Sequence, residues 1–183
     1  KRYGGRVARW PSTRVSVSGA TGDWRDAVNR WPKPSFSFVG SGGDINIQWA
    51  DSTEWCGLAS TYVNSSREIY KCNIKINRKL SWEDGGYVYS CNDYTATVTH
   101  EVGHCIGFFT HTTDGGIMDA TAAGSSELTS PVRNMINLLY SLSPGKNIKP
   151  YLSLPAGAKA WSAGRQNSRG SDVITFIDYP TKR

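Results

Sequence analysis

Three histidines, His100, His104 and His111, are the only ones among the 183 residues, and they fall within twelve positions. His100 and His104 are four residues apart, so in a helix they project from the same face, one turn above the other. Both rings can then bind one metal ion at about 2.0–2.1 Å. Apolar residues recur around them at helical spacing, and Gly107 can take the left-handed conformation that ends a helix. We therefore predict a metal-binding helix from about Tyr94 to Gly107.

Glu101 directly follows the first histidine, which gives the pattern His-Glu-x-x-His. Zinc lowers the pKa of a bound water towards 7, and a neighbouring carboxylate can take the proton without binding the ion. The same carboxylate can then pass the proton to the leaving amine of a peptide bond. This spacing predicts a zinc endopeptidase with His100 and His104 as metal ligands and Glu101 as general base.

A catalytic zinc ion normally has three protein ligands, so two histidines leave the site incomplete. His111, the third histidine of the chain, is the predicted third ligand. Cys105 adjoins His104 but lies about 100° round the helix from it, so we do not expect a thiolate ligand.

The segment HEVGHCIGFFTHTTDGGIM resembles the metzincin motif HExxHxxGxxH followed by a methionine turn. The positions that match are His100, Glu101, His104 and Gly107. Thr110 stands where that family has its third histidine, and a one-residue insertion in the loop before His111 accounts for the difference. Some related small proteases have aspartate as the third ligand, so the resemblance gives Asp114 as the alternative to His111. Within the clan, the chain is most similar to matrixins and related small bacterial secreted proteases, because Thr-Thr-Asp-Gly follows His111.

The resemblance implies an α+β fold: a twisted mixed β-sheet, an active-site helix, a C-terminal helix and a cleft between upper and lower lobes. Residues 1–183 would form one catalytic domain, with an N-terminal lobe over 1–107 and a C-terminal lobe over 108–183. Met118 would support the metal site from below, and residues 119–126 would wall the substrate pocket. Residues 144–183 lie outside the resemblance. Calcium is compatible with the family, but no EF-hand-type loop is present.

The resemblance also implies an edge strand at residues 57–62 that pairs with an extended substrate. The expected substrate-binding residues are Gly57, Leu58, Ala59 and Ser60. Alternating apolar and polar residues predict strands at 15–17, 36–39, 45–49, 58–63, 69–76 and 173–177. A short helix should begin near Asp23, and another should have Ser130 as its N-cap and Pro131 at its first position.

Four cysteines, Cys56, Cys72, Cys91 and Cys105, are present without a CxxC pair. An even number at wide spacing favours two disulfides and an oxidising compartment, and four buried free thiols are the alternative. Of the three possible pairings, we predict Cys56–Cys72 and Cys91–Cys105, because each closes a short loop.

The net charge of +6 comes from basic residues that are scattered along the chain, so we do not expect a nucleic-acid partner. No apolar stretch is long enough to cross a bilayer. The sequence thus predicts a secreted, monomeric zinc endopeptidase that acts on proteins or peptides. The alternatives are a zinc hydrolase of cell-wall peptides and a basic binding module with a structural metal site.

Overall fold

The fold is α+β, as predicted, in a computed structural model that describes residues 6–119, 126–148, 163–166 and 172–182. The elements in chain order are β1 (Arg14–Ser18), α1 (Asp23–Asn29), β2 (Ser35–Val39), β3 (Ile45–Ala50), β4 (Gly57–Val63), β5 (Ile69–Asn77), β6 (Ser81–Asp84), β7 (Tyr87–Ser90), α2 (Tyr94–Cys105), α3 (Ser130–Ser141), β8 (Ala163–Gln166), β9 (Asp172–Asp178) and β10 (Thr181–Lys182). No helix in these ranges is long and apolar enough to cross a membrane.

The main sheet has seven described strands in the order β2-β1-β3-β5-β4-β9-β8. The first four run parallel, and β4, β9 and β8 each run antiparallel to the preceding strand in that order. The mixed sheet is therefore confirmed. Strands β10, β7 and β6 form a small antiparallel sheet that the sequence did not predict. Strands β8 and β9, from the predicted C-terminal lobe, extend the sheet that the first half of the chain forms.

The core lies between the main sheet and helices α1 and α2. The buried face of β5 carries Cys72, Ile74 and Ile76, as its alternating pattern predicted. Helix α2 packs against β4 and β5, and the Trp31 indole N–H donates to the Thr99 carbonyl at 2.9 Å. This packing holds the predicted metal-binding helix against the sheet.

Helix α2 confirms the predicted helix, and neighbouring residues make hydrogen bonds to the backbone groups at both of its ends. The Asp93 side chain accepts a hydrogen bond from the Ala96 N–H at 2.7 Å, which caps the N-terminus. At the other end, Gly107 has φ 111°, and a Cβ there would lie 2.5 Å from the Ala8 carbonyl oxygen. Only glycine fits this close turn without strain.

The last carbonyls of α2 lack partners within the helix, and side chains from other elements donate to them. The Trp10 indole N–H donates to the Cys105 carbonyl at 2.8 Å. The Thr61 hydroxyl donates to the His104 carbonyl at 3.2 Å, and the Tyr140 hydroxyl donates to the Ile106 carbonyl at 3.0 Å. These contacts fix the end of the helix that carries the second histidine.

The predicted disulfide pairing is wrong, because the bonds are Cys56–Cys91 and Cys72–Cys105. In the register of β4 and β5, Cys72 lies opposite Thr61, five residues along the strand from Cys56. Cys91 lies just before α2, and Cys105 is the last residue of that helix. Because a helix rises 1.5 Å per residue, about 20 Å separates the two cysteines. A disulfide needs Cα atoms about 4.4–6.8 Å apart. The observed bonds join the sheet to the two ends of α2, with Cα separations of 5.5 and 5.6 Å.

Helix α3 begins one residue earlier than predicted. Thr129 is the N-cap and Ser130 the first helical residue, which puts Pro131 in the first turn. The Thr129 hydroxyl does not cap the helix but donates to the Asp114 carboxylate at 2.6 Å. The start of α3 is thereby tied to the loop after α2.

Candidate metal centre

His100 and His104 from α2 meet His111 from the following loop at one point. One possible ligand atom from each ring lies within 4.8 Å of the other two. The Nε2 atom of His100 is 3.1 Å from that of His104 and 3.2 Å from that of His111. Two nitrogens bound to one tetrahedral zinc at about 2.05 Å would be about 3.3 Å apart. The three histidines could therefore hold a metal ion of this size.

Backbone carbonyls hold two of the rings in place. His100 Nδ1 is 2.7 Å from the Ile117 carbonyl oxygen, and His104 Nδ1 is 2.8 Å from the Phe108 carbonyl oxygen. A carbonyl can only accept, so each Nδ1 must carry the hydrogen. The tautomer that results leaves the Nε2 lone pair free to bind a metal, as in known metal sites.

The environment keeps these imidazoles neutral. Burial lowers the pKa of His100 and of His111 to about 4. Burial also lowers the pKa of His104 well below its usual value, and the charges of His100 and His111 lower it further. Converging lone pairs of neutral rings repel one another, and a bound cation removes that repulsion. The donor set thus fits a divalent metal ion that prefers imidazole.

His111, and not Asp114, completes the cluster of possible ligands. The exposed Asp114 carboxylate accepts hydrogen bonds from the Thr112 hydroxyl at 2.7 Å, the Thr129 hydroxyl at 2.6 Å and the Gly116 N–H at 3.1 Å. This aspartate braces the loop that presents His111. Asp114 thus lies outside the group of possible ligands in this structure, and His111 stays the predicted third ligand.

Met118 is fully buried beneath α2. Its sulfur lies 2.7 Å from the position that a Cβ at Gly103 would take, so a side chain at Gly103 would displace it. The Thr112 N–H donates to the Met118 carbonyl at 2.7 Å, and the preceding residue, Ile117, supplies the carbonyl that contacts His100. The turn around Met118 thus orients a ligand from below the helix.

Glu101 is fully buried, and its carboxylate lies against β4. A Cβ at Gly57 would be 2.5 Å from Glu101 Oε1, so glycine leaves the room that this carboxylate occupies. Burial raises the pKa of Glu101 well above its usual value, and the charge of Asp178 raises it further. The Ala59 N–H favours the charged form, but neither carboxylate oxygen has a hydrogen-bond partner of good geometry among the described residues. A buried carboxylate without partners is costly unless it acts on a ligand.

The predicted edge strand is not an edge. Strand β4, with Gly57, Leu58, Ala59 and Ser60, pairs with β5 on one side and with β9 on the other. The reason is that residues 172–178 fold back along β4, a long-range pairing that no local pattern reveals. Of the predicted pocket wall at 119–126, residues 120–125 lie outside the described part of the chain.

The sequence did not predict two residues that lie next to the candidate site, and both are on β9. The Phe176 ring stacks on the His104 imidazole, with centroids 4.0 Å apart and planes 7° apart. Asp178, only 5% exposed, is opposite Gly57 and next to the Glu101 site. The sequence predicted a strand over 173–177, which β9 confirms, but it predicted neither the buried face of that strand nor the element that this face contacts.

No protein-family model matches the sequence, and no curated protein is significantly similar to it. The metzincin resemblance, which is carried mainly by residues 100–118, stays a prediction.

Proposed function

We propose that this protein is a zinc-dependent endopeptidase. The observation that carries the proposal is the convergence of three neutral imidazoles, two of them on the helix that also carries the buried Glu101. His100 and Glu101 are consecutive in α2, so one helix supplies both a ligand and the base. This combination suits hydrolysis with an activated water.

Each residue has a distinct task in this proposal. When bound, zinc polarises the substrate carbonyl and acidifies a water molecule. His100, His104 and His111 would hold the ion, and the carbonyls of Ile117 and Phe108 fix the tautomer of the two helical histidines. Glu101 accepts the proton of the attacking water and delivers it to the leaving amine. The raised pKa of Glu101 favours its protonated form, which delivers the proton to the leaving amine. A bound cation nearby would favour the charged form, which accepts the proton from water.

The number of protein ligands supports a catalytic metal site rather than a structural one. Structural zinc sites are normally closed by four protein ligands. Among the described residues, the cluster holds three histidines, and all four cysteines are in disulfides. A fourth position on the metal ion would then be open to water or substrate.

The two disulfides support export to an oxidising compartment, where such bonds persist. Each bond joins α2 or its N-terminal approach to the sheet, so oxidation fixes the helix that carries the histidines. We therefore place the activity outside the reducing cytosol.

The test uses the full chain, loaded with one equivalent of zinc, and a library of quenched fluorogenic peptides. We expect cleavage that a chelator abolishes and zinc restores. The variant Glu101→Gln should bind zinc normally and lose at least about 10²-fold in kcat, the usual contribution of a general base. Glu83→Gln, the same change on an exposed strand residue, is the matched control and should cleave like wild type.

Chelator-resistant cleavage would contradict the proposal, and so would full activity in the Glu101→Gln variant. Adding cell-wall peptides to the library separates the predicted protease from a cell-wall hydrolase with the same residues.

A further inference from the structure

Phe176, on β9, stacks with two rings of the candidate metal centre and its loop. Its ring centroid is 4.0 Å from that of the His104 imidazole, and the two planes are 7° apart. The Phe109 ring is 5.6 Å from Phe176, with the planes 20° apart. Near-parallel rings at such distances attract each other beyond the effect of burial alone. One side chain therefore contacts two separate parts of the site.

The two contacts belong to the two segments that supply the predicted ligands. His104 is in α2, whereas Phe109 is in the loop that follows, two positions before His111. Strand β9 holds the Phe176 ring in place, because Phe176 is 2% exposed and lies opposite Ala59 in the register of β4 and β9. The sheet thus fixes a ring against which both ligand segments pack.

The stacked ring adds a restraint that the hydrogen bond of His104 does not supply. The Nδ1–H of His104 donates to the Phe108 carbonyl at 2.8 Å, which fixes one edge of the imidazole. A ring held at one edge can still tilt, and a tilt would move Nε2 away from the point where the three histidines meet. A parallel phenyl ring at 4.0 Å blocks the tilt on its side, because close-packed interiors leave no gap for it.

We propose that Phe176 is a positioning residue of the metal centre, which holds the His104 imidazole and the loop before His111 in the arrangement that binds the ion. The inference rests on the proposed function, because it assigns the histidines to a metal ion. Phe176 donates no atom to the ion and acts only through the rings that it contacts. Residues 172–178, which lie outside the metzincin resemblance, thereby take part in building the site.

Zinc affinity is the first readout, and it does not depend on turnover. The full-length variant Phe176→Leu keeps an apolar side chain in the core but lacks the flat ring face. Chelator competition should show zinc binding at least about tenfold weaker than in wild type, the usual effect of removing a group that orients a metal ligand.

The matched control is Ile174→Ala, because Ile174 is 1% exposed on the same face of β9, two positions away. It removes core packing from the same strand and leaves the ring stack intact. Urea unfolding of the zinc-free proteins should show lower stability for Ile174→Ala than for wild type. Its zinc affinity should nevertheless stay within a few-fold of the wild-type value.

The visible spectrum of bound Co²⁺ is a second readout, because it reports the number and arrangement of the metal's ligands. Imidazole ligands suit this ion as well as zinc. At saturating Co²⁺, Phe176→Leu should change the absorption bands, and Ile174→Ala should keep them. A further variant, Phe109→Leu, removes the second ring of the stack from a half-buried loop position and leaves β9 unchanged. It should weaken zinc binding several-fold.

Wild-type zinc affinity and wild-type Co²⁺ bands in Phe176→Leu would overturn the positioning role, and so would an equal loss of affinity in Ile174→Ala. If Phe176→Leu does not fold, unchanged affinity in Phe109→Leu would overturn it. The endopeptidase would stand in these cases, because chelator-sensitive cleavage by wild-type protein decides it. The expected zinc affinities without any cleavage by wild-type protein would overturn the endopeptidase and keep the positioning role. A wild-type chain that binds no zinc would overturn both.

Discussion

Asp178 offers a direct test of how β9 sits against the sheet. Its carboxylate is 5% exposed, and burial raises its pKa from 3.8 to about 7. Asp178→Asn keeps the shape of the protonated side chain and removes its titration. The pH dependence of the stability difference between the two proteins therefore reports this carboxylate, together with its effect on the pKa of Glu101.

The sign and size follow from proton linkage. Between pH 3.8 and 7, the folded chain binds more protons at Asp178 than the unfolded chain does. The free energy of unfolding therefore falls as pH rises through this interval, and the loss is complete above the folded pKa. An interval of about 3 pH units corresponds to about 4 kcal/mol. We expect Asp178→Asn to gain about 4 kcal/mol over wild type between pH 4 and pH 8.

Urea unfolding followed by tryptophan fluorescence measures this difference at pH 4, 5, 6, 7 and 8, with a chelator present. Histidine titration is common to both proteins and cancels in the comparison. Asp51→Asn removes the same charge from a side chain that is 67% exposed, and its effect should stay within about 0.5 kcal/mol at every pH. Parallel stability curves for Asp178→Asn and wild type would refute the burial of Asp178, and with it the docking of β9 at the site.

Three other perturbations test the scaffold and the ligand set. Replacing Cys72 and Cys105 by Ala should lower the free energy of unfolding by about 3–4 kcal/mol in urea denaturation, because the bond spans 33 positions of the chain. Gly107→Ala should cost about 2 kcal/mol or more by the same measurement, since φ is 111° and the new Cβ would meet a carbonyl oxygen; a wild-type midpoint would contradict this. His111→Ala should weaken zinc binding by at least tenfold in a chelator competition, whereas Asp114→Ala should change it only a few-fold, and the reverse order would restore the aspartate as ligand.

Local patterns were enough to predict most of the elements. The alternation in β5 and the helical spacing around His100 each depend on neighbours within one element, and both are confirmed. The three histidines were also predictable, because helix geometry brings two of them together and the third lies close in sequence. Short strands with little apolar alternation, β6 and β7, gave no comparable signal.

The errors concern pairs of elements that are distant in sequence. The disulfide prediction minimised loop length, but α2 is a rigid spacer that keeps Cys91 and Cys105 apart. The edge-strand prediction treated residues 57–60 as free, although β9 joins them from more than 100 positions away. A strand's own sequence specifies which face is apolar, and it does not specify which edge the strand will pair with.

This division between local and long-range information bears directly on the proposed activity. The reactive residues come from one short segment, so their chemistry can be recognised in isolation. The surroundings of these residues include a distant strand, whose Phe176 stacks on His104. Strand β9 also forms the ladder of backbone hydrogen bonds along β4 that the resemblance assigned to an extended substrate. Residues 100–111 therefore supply the groups of the proposed reaction, while residues 172–178 contribute to the environment of His104 and Glu101.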